Sequence, residues 1–205
     1  MTIASAARTD GRERVMEAAL EVFSSRGFRG GSLNEIATRS GYTRAGLLHH
    51  FPSKEAVLVA LLERRDAALG ITEIVVDGDL TLRELADRFA QDLATVLARR
   101  DLILLAHVMT AEAGGDAHPA AEWVRTRERR LRDGLTNAAQ RSIDRGELPA
   151  GTNARAVAAV VLAVVEGLES QWLVDPDAVS PSEALEALRH LVFDRPDGRQ
   201  IVEDR

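Results

Sequence analysis

Apolar residues recur at helical spacing along almost the whole of this 205-residue chain, and no stretch alternates with the period of two that a half-buried strand needs. Val15, Ala19, Val22 and Phe23 stand at i, i+4, i+7 and i+8, which predicts one apolar helix face from about Gly11 to Arg26. Gly27 sits where a helix end favours a left-handed residue. Ser32-Leu33-Asn34-Glu35 has the spacing of a capping box, the serine accepting from the third amide and the glutamate reaching back. It opens a helix carrying Leu33, Ile36 and Ala37 that ends by Ser40 and Gly41. Thr43 caps a second short helix, Arg44 to His50, and Phe51-Pro52 stops it, since the residue before a proline avoids helical backbone. Ser53 caps another from Lys54 to about Ala68.

Gly70 to Leu80, with Ile71, Ile74, Val75 and Val76, has no helical period and reads as a loop. Thr81 to Glu84 is a second capping box, opening a helix with Leu82, Leu85, Ala86, Phe89, Leu93, Val96 and Leu97 inward. Asp101 begins a helix through Leu104, Leu105, Val108 and Met109 that Gly114-Gly115 ends. Pro119 suits a first helical position and predicts a long helix, with Trp123, Leu131 and Leu135 inward, stopping near Gly146. Asn153 caps a helix to about Trp172. Ser180-Pro181-Ser182-Glu183 opens the last, through Leu185, Leu188, Leu191 and Val192, and residues 195–205 read as a frayed polar tail. The expectation is an all-α chain of about nine helices.

The absence of cysteine excludes a disulfide scaffold, a thiolate metal site and a cysteine nucleophile. The longest apolar run, Ala156 to Val165, is half of the roughly 20 residues a spanning helix needs, and the start of the chain lacks a signal-peptide core. A cytoplasmic protein without membrane association is expected.

Net charge is −6, but it is unevenly spread. Residues 1–54 carry eight basic side chains against five acidic, so +3, which leaves −9 for the remainder. Such a split suggests a short cationic module on an acidic body. Within the module, Ser32 to His50 has the plan of a helix-turn-helix: two short helices joined by a glycine-containing turn. Leu33, Ile36, Ala37, Leu47 and Leu48 are available to hold the pair together. In such a unit the second helix enters the major groove with its N-terminal residues, here Thr43, Arg44, Ala45 and Gly46, against base edges. Arg44 can pair bidentately with guanine, Thr43 can bond base or phosphate, and Ala45 and Gly46 let the backbone approach closely.

Ser32-Leu33-Asn34-Glu35-Ile36-Ala37 and the run from Gly41 through Arg44, His49, Phe51 and Lys54 to Glu55 resemble the DNA-binding signature of TetR/AcrR-family transcriptional repressors. The likeness covers roughly Arg12 to Leu62. It implies a three-helix N-terminal helix-turn-helix DNA-binding domain, residues 1–54, and a larger helical ligand-binding and dimerisation domain, residues 55–205. It also implies that Thr43, Arg44, Ala45 and Gly46 form the base-facing edge, that His49 reaches a phosphate, and that Ser32 and Lys54 contact the backbone. At Leu48 the chain departs from the family, which very often has a DNA-touching tyrosine there; leucine cannot hydrogen-bond, and packing or van der Waals contact is expected instead.

The helix from Asn153 to Trp172 is apolar nearly all round, which calls for partners on both sides. With the last helix, it suggests a four-helix bundle between two copies through Val161, Val165, Leu168, Leu185, Leu188 and Leu191; the family usually dimerises through its last two helices. A homodimer reading a palindromic operator, and released by a small-molecule effector, is the resulting expectation. Phe89, Leu93, Leu104, His107, Val108, Trp123 and Trp172 are candidate pocket walls. No cofactor or metal site is expected. The alternatives are a helical ligand-binding or protein-interaction module without sequence-specific DNA binding, and an enzyme using His107 with Glu112. The five histidines show no HExxH spacing, and neither a phosphate loop nor a nucleophile elbow is present.

Overall fold

A computed structural model describes residues 3–70, 74–76, 78–114 and 117–193, with side chains from Gly11 onward. Ile71, Gly115 and the tail 195–205 lie outside the described residues. Nine helices are present among the described residues: α1 (Ile3–Gly30), α2 (Leu33–Ser40), α3 (Arg44–His50), α4 (Lys54–Leu69), α5 (Leu82–Leu97), α6 (Arg100–Glu112), α7 (Ala121–Asp144), α8 (Ala154–Val174) and α9 (Pro181–Phe193). No strand occurs among those residues. Residues 74–76, read from sequence as loop, form one helical turn.

The chain folds into two compact units that do not follow chain order. The first comprises residues 1–73 and 95–130, the second 74–94 and 131–205. The first unit is built on the face predicted for α1. Val15, Ala19, Val22 and Phe23 are fully buried, together with Ile36 of α2, Leu47 of α3, Leu58 and Leu61 of α4, and Leu102 and Leu105 of α6. Each such leucine or phenylalanine contributes roughly 1.5–3 kcal/mol by leaving water. Leu48 does not join this core and is 38% exposed, which leaves van der Waals contact at the surface rather than core packing as its expected use. Its neighbour Leu47 already fills the inward position.

Helix ends match their sequence signals in most places. Ser32, Thr43, Ser53 and Asn153 each accept from the amide three residues on. Gly41 (φ 74°) closes α2, with the Tyr42 amide donating to Ala37 at 2.8 Å. Two signals were read too fully. The Ser32 box is one-sided, because Glu35 spends its carboxylate on Arg26 (3.3 Å) and Arg39 (3.1 Å) rather than on the Ser32 amide. The long helix α7 begins at Ala121, not Pro119, because His118 Nδ1 accepts the Ala120 amide and holds the preceding residues in a turn.

In the second unit the Thr81 box is reciprocal. Glu84 N–H donates to the Thr81 hydroxyl at 3.2 Å, and Thr81 N–H to the Glu84 carboxylate at 2.8 Å. That amide, helped by Arg145, holds the Glu84 carboxyl below its ordinary range. Ser142 on α7 accepts the Leu82 amide, and Arg141 donates to the carbonyls of Leu80 and Gly78, fixing the start of α5. The pair α8 and α9 packs together but covers little of itself. Only Ala158 and Leu162 of α8 are buried, and no residue of α9 is.

Gly27 breaks α1 with φ 70° and ψ 175°, a region essentially reserved for glycine. A Cβ there would also collide with the Glu112 carboxylate. That carboxylate accepts the Phe28 amide at 2.7 Å and lies 3.2 Å from Nε2 of buried His118. Because His118 Nδ1 is occupied as an acceptor, Nε2 is the donor toward Glu112. Glu112 thus joins the α1–α2 connection to the end of α6, a use unlike the acid–base pairing with His107 considered from sequence.

Candidate nucleic-acid interface

The seven-residue α3 is short enough that its side chains sort cleanly into two arcs. Leu47 is buried and Gly46 and His50 are half-buried, while Thr43, Arg44, Ala45, Leu48 and His49 are exposed. The Thr43 hydroxyl accepts the Gly46 amide at 3.1 Å, which leaves its proton free to donate outward. Ser32, also exposed, is used in the same way by Glu35 N–H. A Cβ on Gly46 would stand 3.3 Å from the Tyr42 ring and 3.4 Å from the Thr43 hydroxyl oxygen. The missing side chain therefore lies on the side of α3 that Tyr42 covers.

The cationic excess of the segment is smaller in three dimensions than in the sequence. Arg39 pairs with Glu21 and Glu35, both at 3.1 Å, and Arg26 with Glu35. Among the described residues, Arg29 and Arg44 are exposed and pair with no carboxylate. Arg44 thus projects from the first turn of α3 with its guanidinium unspent.

Lys54, the one lysine of the chain, is half-buried. Its Nζ donates to the carbonyls of Phe28 (2.7 Å) and Gly31 (2.9 Å) and sits 4.1 Å from the Phe28 ring centroid. Two of its three N–H bonds are therefore committed to the α1–α2 connection. Hydrogen bonds from a charged donor contribute about 1.5–3 kcal/mol. Lys54→Met is accordingly expected to lower stability by about 2 kcal/mol, as a reduced urea midpoint with unchanged slope.

Sequence reasoning missed a group behind α3. Arg14 donates to the Tyr42 hydroxyl at 2.7 Å, Arg12 lies 4.2 Å from the Phe51 ring centroid, and the Tyr42 and His50 rings meet edge-on at 5.3 Å. Two arginines of α1 thus brace both ends of α3. Their spacing two residues apart was visible in the sequence, but their partners lie 28 to 39 residues further on. Of the pocket candidates, Leu104, His107, Val108 and Trp123 fall in the first unit, where all four are half-buried. The Trp123 indole donates to Asp66 Oδ2 at 2.8 Å, and Asp66 also pairs with buried Arg65, which no sequence signal flagged. Phe89, Leu93 and Trp172 belong to the second unit.

Two family patterns match the chain: residues 15–61 fit the bacterial regulatory proteins of the tetR family, and residues 98–194 fit the C-terminal part of BetI-type transcriptional repressors. The chain belongs to the TetR family. The HTH-type transcriptional regulator TtgR of Pseudomonas putida is 29% identical over 174 residues, 82% of each chain. The HTH-type transcriptional repressor BepR of Brucella suis is 29% identical over 182 residues, 84% of each. Among solved structures, SmeT in complex with triclosan superposes with a TM-score of 0.74 at 23% identity, covering 92% of this chain and 93% of that one. That likeness is one of fold. A TetR-family transcriptional regulator binds DNA and is not an enzyme, and among the described residues no cluster of three metal-ligating side chains occurs.

Proposed function

We propose that this TetR-family regulator acts in the cytoplasm as a repressor, binding a palindromic operator as a homodimer and leaving it when a small molecule binds. The observation that carries the reading is the open edge of α3, where unpaired Arg44 stands beside Thr43, Ala45 and His49 opposite buried Leu47. Residues 1–54 serve as the DNA-reading part and residues 55–205 as the ligand-binding and dimerising part. This division by role differs from the two compact units, since α6 packs with the head. Thr43, Arg44 and Ala45 face the bases and His49 and Ser32 meet phosphates, whereas Gly46, expected at that edge, lies on the side of α3 that Tyr42 covers. Lys54 has one N–H left for a phosphate and acts mainly by holding the preceding turn.

The uncovered faces of α8 and α9 support the homodimer. Val160, Val174 and Leu191 are 59%, 84% and 76% exposed in a single chain, and large apolar side chains left in water on two neighbouring helices suit a partner surface. By length and composition α8 could also cross a membrane; Arg155, Glu166 and Glu169 within it favour a protein partner. Two heads at one helical turn's spacing, about 34–36 Å, would read a palindrome. A bound effector would shift the population between spacings.

Selection of bound duplexes from a random pool at low salt tests the reading directly. With the selected operator, Arg44→Ala is expected to cost about 1–3 kcal/mol and to relax preference at one base position. Unchanged sequence preference would remove Arg44 from the reading edge.

A further inference from the structure

The open arc of α3 is apolar at its centre. A helix turns by about 100° per residue, so the exposed residues follow one another around α3 in the order Arg44, Leu48, Ala45, His49. The half-buried Gly46 and His50 and the buried Leu47 occupy the other side. Leu48 and Ala45 therefore hold the middle of the outward face, flanked by a cation and an imidazole. Leu48 is one of only five large apolar side chains exposed among the described residues. It lies on a helix whose other exposed groups are polar or small, while its neighbour Leu47 takes the buried position.

The only apolar group that a base pair offers in the major groove is the thymine 5-methyl. We propose that Leu48, with Ala45 beside it, reads a thymine methyl, and so sets specificity at an A·T pair next to the pair contacted by Arg44. Leu48 stands one turn beyond Arg44, about 6 Å along the helix axis. At about 3.4 Å per base step, the thymine lies within two base pairs of the Arg44-dependent position. The inference rests on the proposed DNA-reading role of α3. It adds a contact that leucine can make and a hydroxyl-bearing side chain there would not need.

Exchanging thymine for deoxyuridine removes that methyl and nothing else from the duplex. With the full-length protein and an operator selected from random duplexes, each thymine is replaced in turn. One position within two base pairs of the Arg44-dependent pair should weaken binding about fourfold, and about fifteenfold when both half-sites are changed, as expected for one methyl group per head returned to water. Leu48→Ala, which folds because the side chain is exposed, should bind the thymine and deoxyuridine operators equally. If no deoxyuridine position near the Arg44 contact matters, or if Leu48→Ala keeps the wild-type discrimination, Leu48 does not read thymine. Failure to select any duplex would instead overturn the DNA-reading role of α3 and the present proposal with it. A selected operator that Arg44→Ala does not affect separates the first failure from the second.

Discussion

A chain carrying Val160→Glu and Leu191→Glu should sediment as a folded monomer and bind its operator at least about a thousandfold more weakly than the wild type. In one subunit both positions are largely in water, 59% and 76% exposed, so glutamate there disturbs no internal packing. Across a twofold interface each would become a buried carboxylate without a partner, at a cost of several kcal/mol per ion. Specific sites are held at about 10⁻⁸–10⁻¹¹ M, whereas non-specific contacts give about 10⁻⁴–10⁻⁶ M. Removing the second head moves binding toward the latter range. Sedimentation equilibrium reads the assembly, far-ultraviolet circular dichroism the fold, and titration of the selected duplex the affinity. A double variant that remained dimeric would place the interface elsewhere.

Gly27→Ala is expected to be the most damaging single methyl in the head. The backbone at φ 70°, ψ 175° costs an alanine roughly 1–3 kcal/mol. The new Cβ must also displace the Glu112 carboxylate, which loses the Phe28 amide and His118 as partners. Leaving such buried groups unsatisfied costs about 1–3 kcal/mol more. The sum, about 2–6 kcal/mol, is a large share of the 5–15 kcal/mol that typically holds a domain. Urea titration should show a much lower midpoint. In a Glu112→Ala background the clash is gone, so the same glycine change should cost only its backbone part. The difference between the two is the coupling energy of the contact.

The helices were legible in the sequence because their determinants are local. Ser32, Thr43, Ser53 and Thr81 announce their own N-termini, and the i, i+4, i+7, i+8 spacing of Val15, Ala19, Val22 and Phe23 marks one buried face without knowledge of its partner. The open arc of α3 was legible for the same reason, since the helix contains both its inward anchor, Leu47, and its outward residues. What the sequence concealed was pairing at long range. Glu112 meets Phe28 and His118, Lys54 meets Phe28 and Gly31, and Asp66 meets Trp123. Each of these polar residues, taken alone, reads as solvated surface or as a site residue. For Leu48 the residue type excludes a hydrogen bond but does not choose between core packing and an outward van der Waals contact. On the short α3 the inward position is taken by Leu47, and Leu48, about 100° further round, falls on the open arc.

The solitary side-chain amine of this protein has a practical consequence. Acylating reagents that seek primary amines find Lys54 already handed to two carbonyls and laid against an aromatic ring. Its modification has to wait for that corner of the head to come apart. The rate at which it is labelled, with and without operator, therefore clocks the local opening of the corner around Lys54, with no engineered probe required.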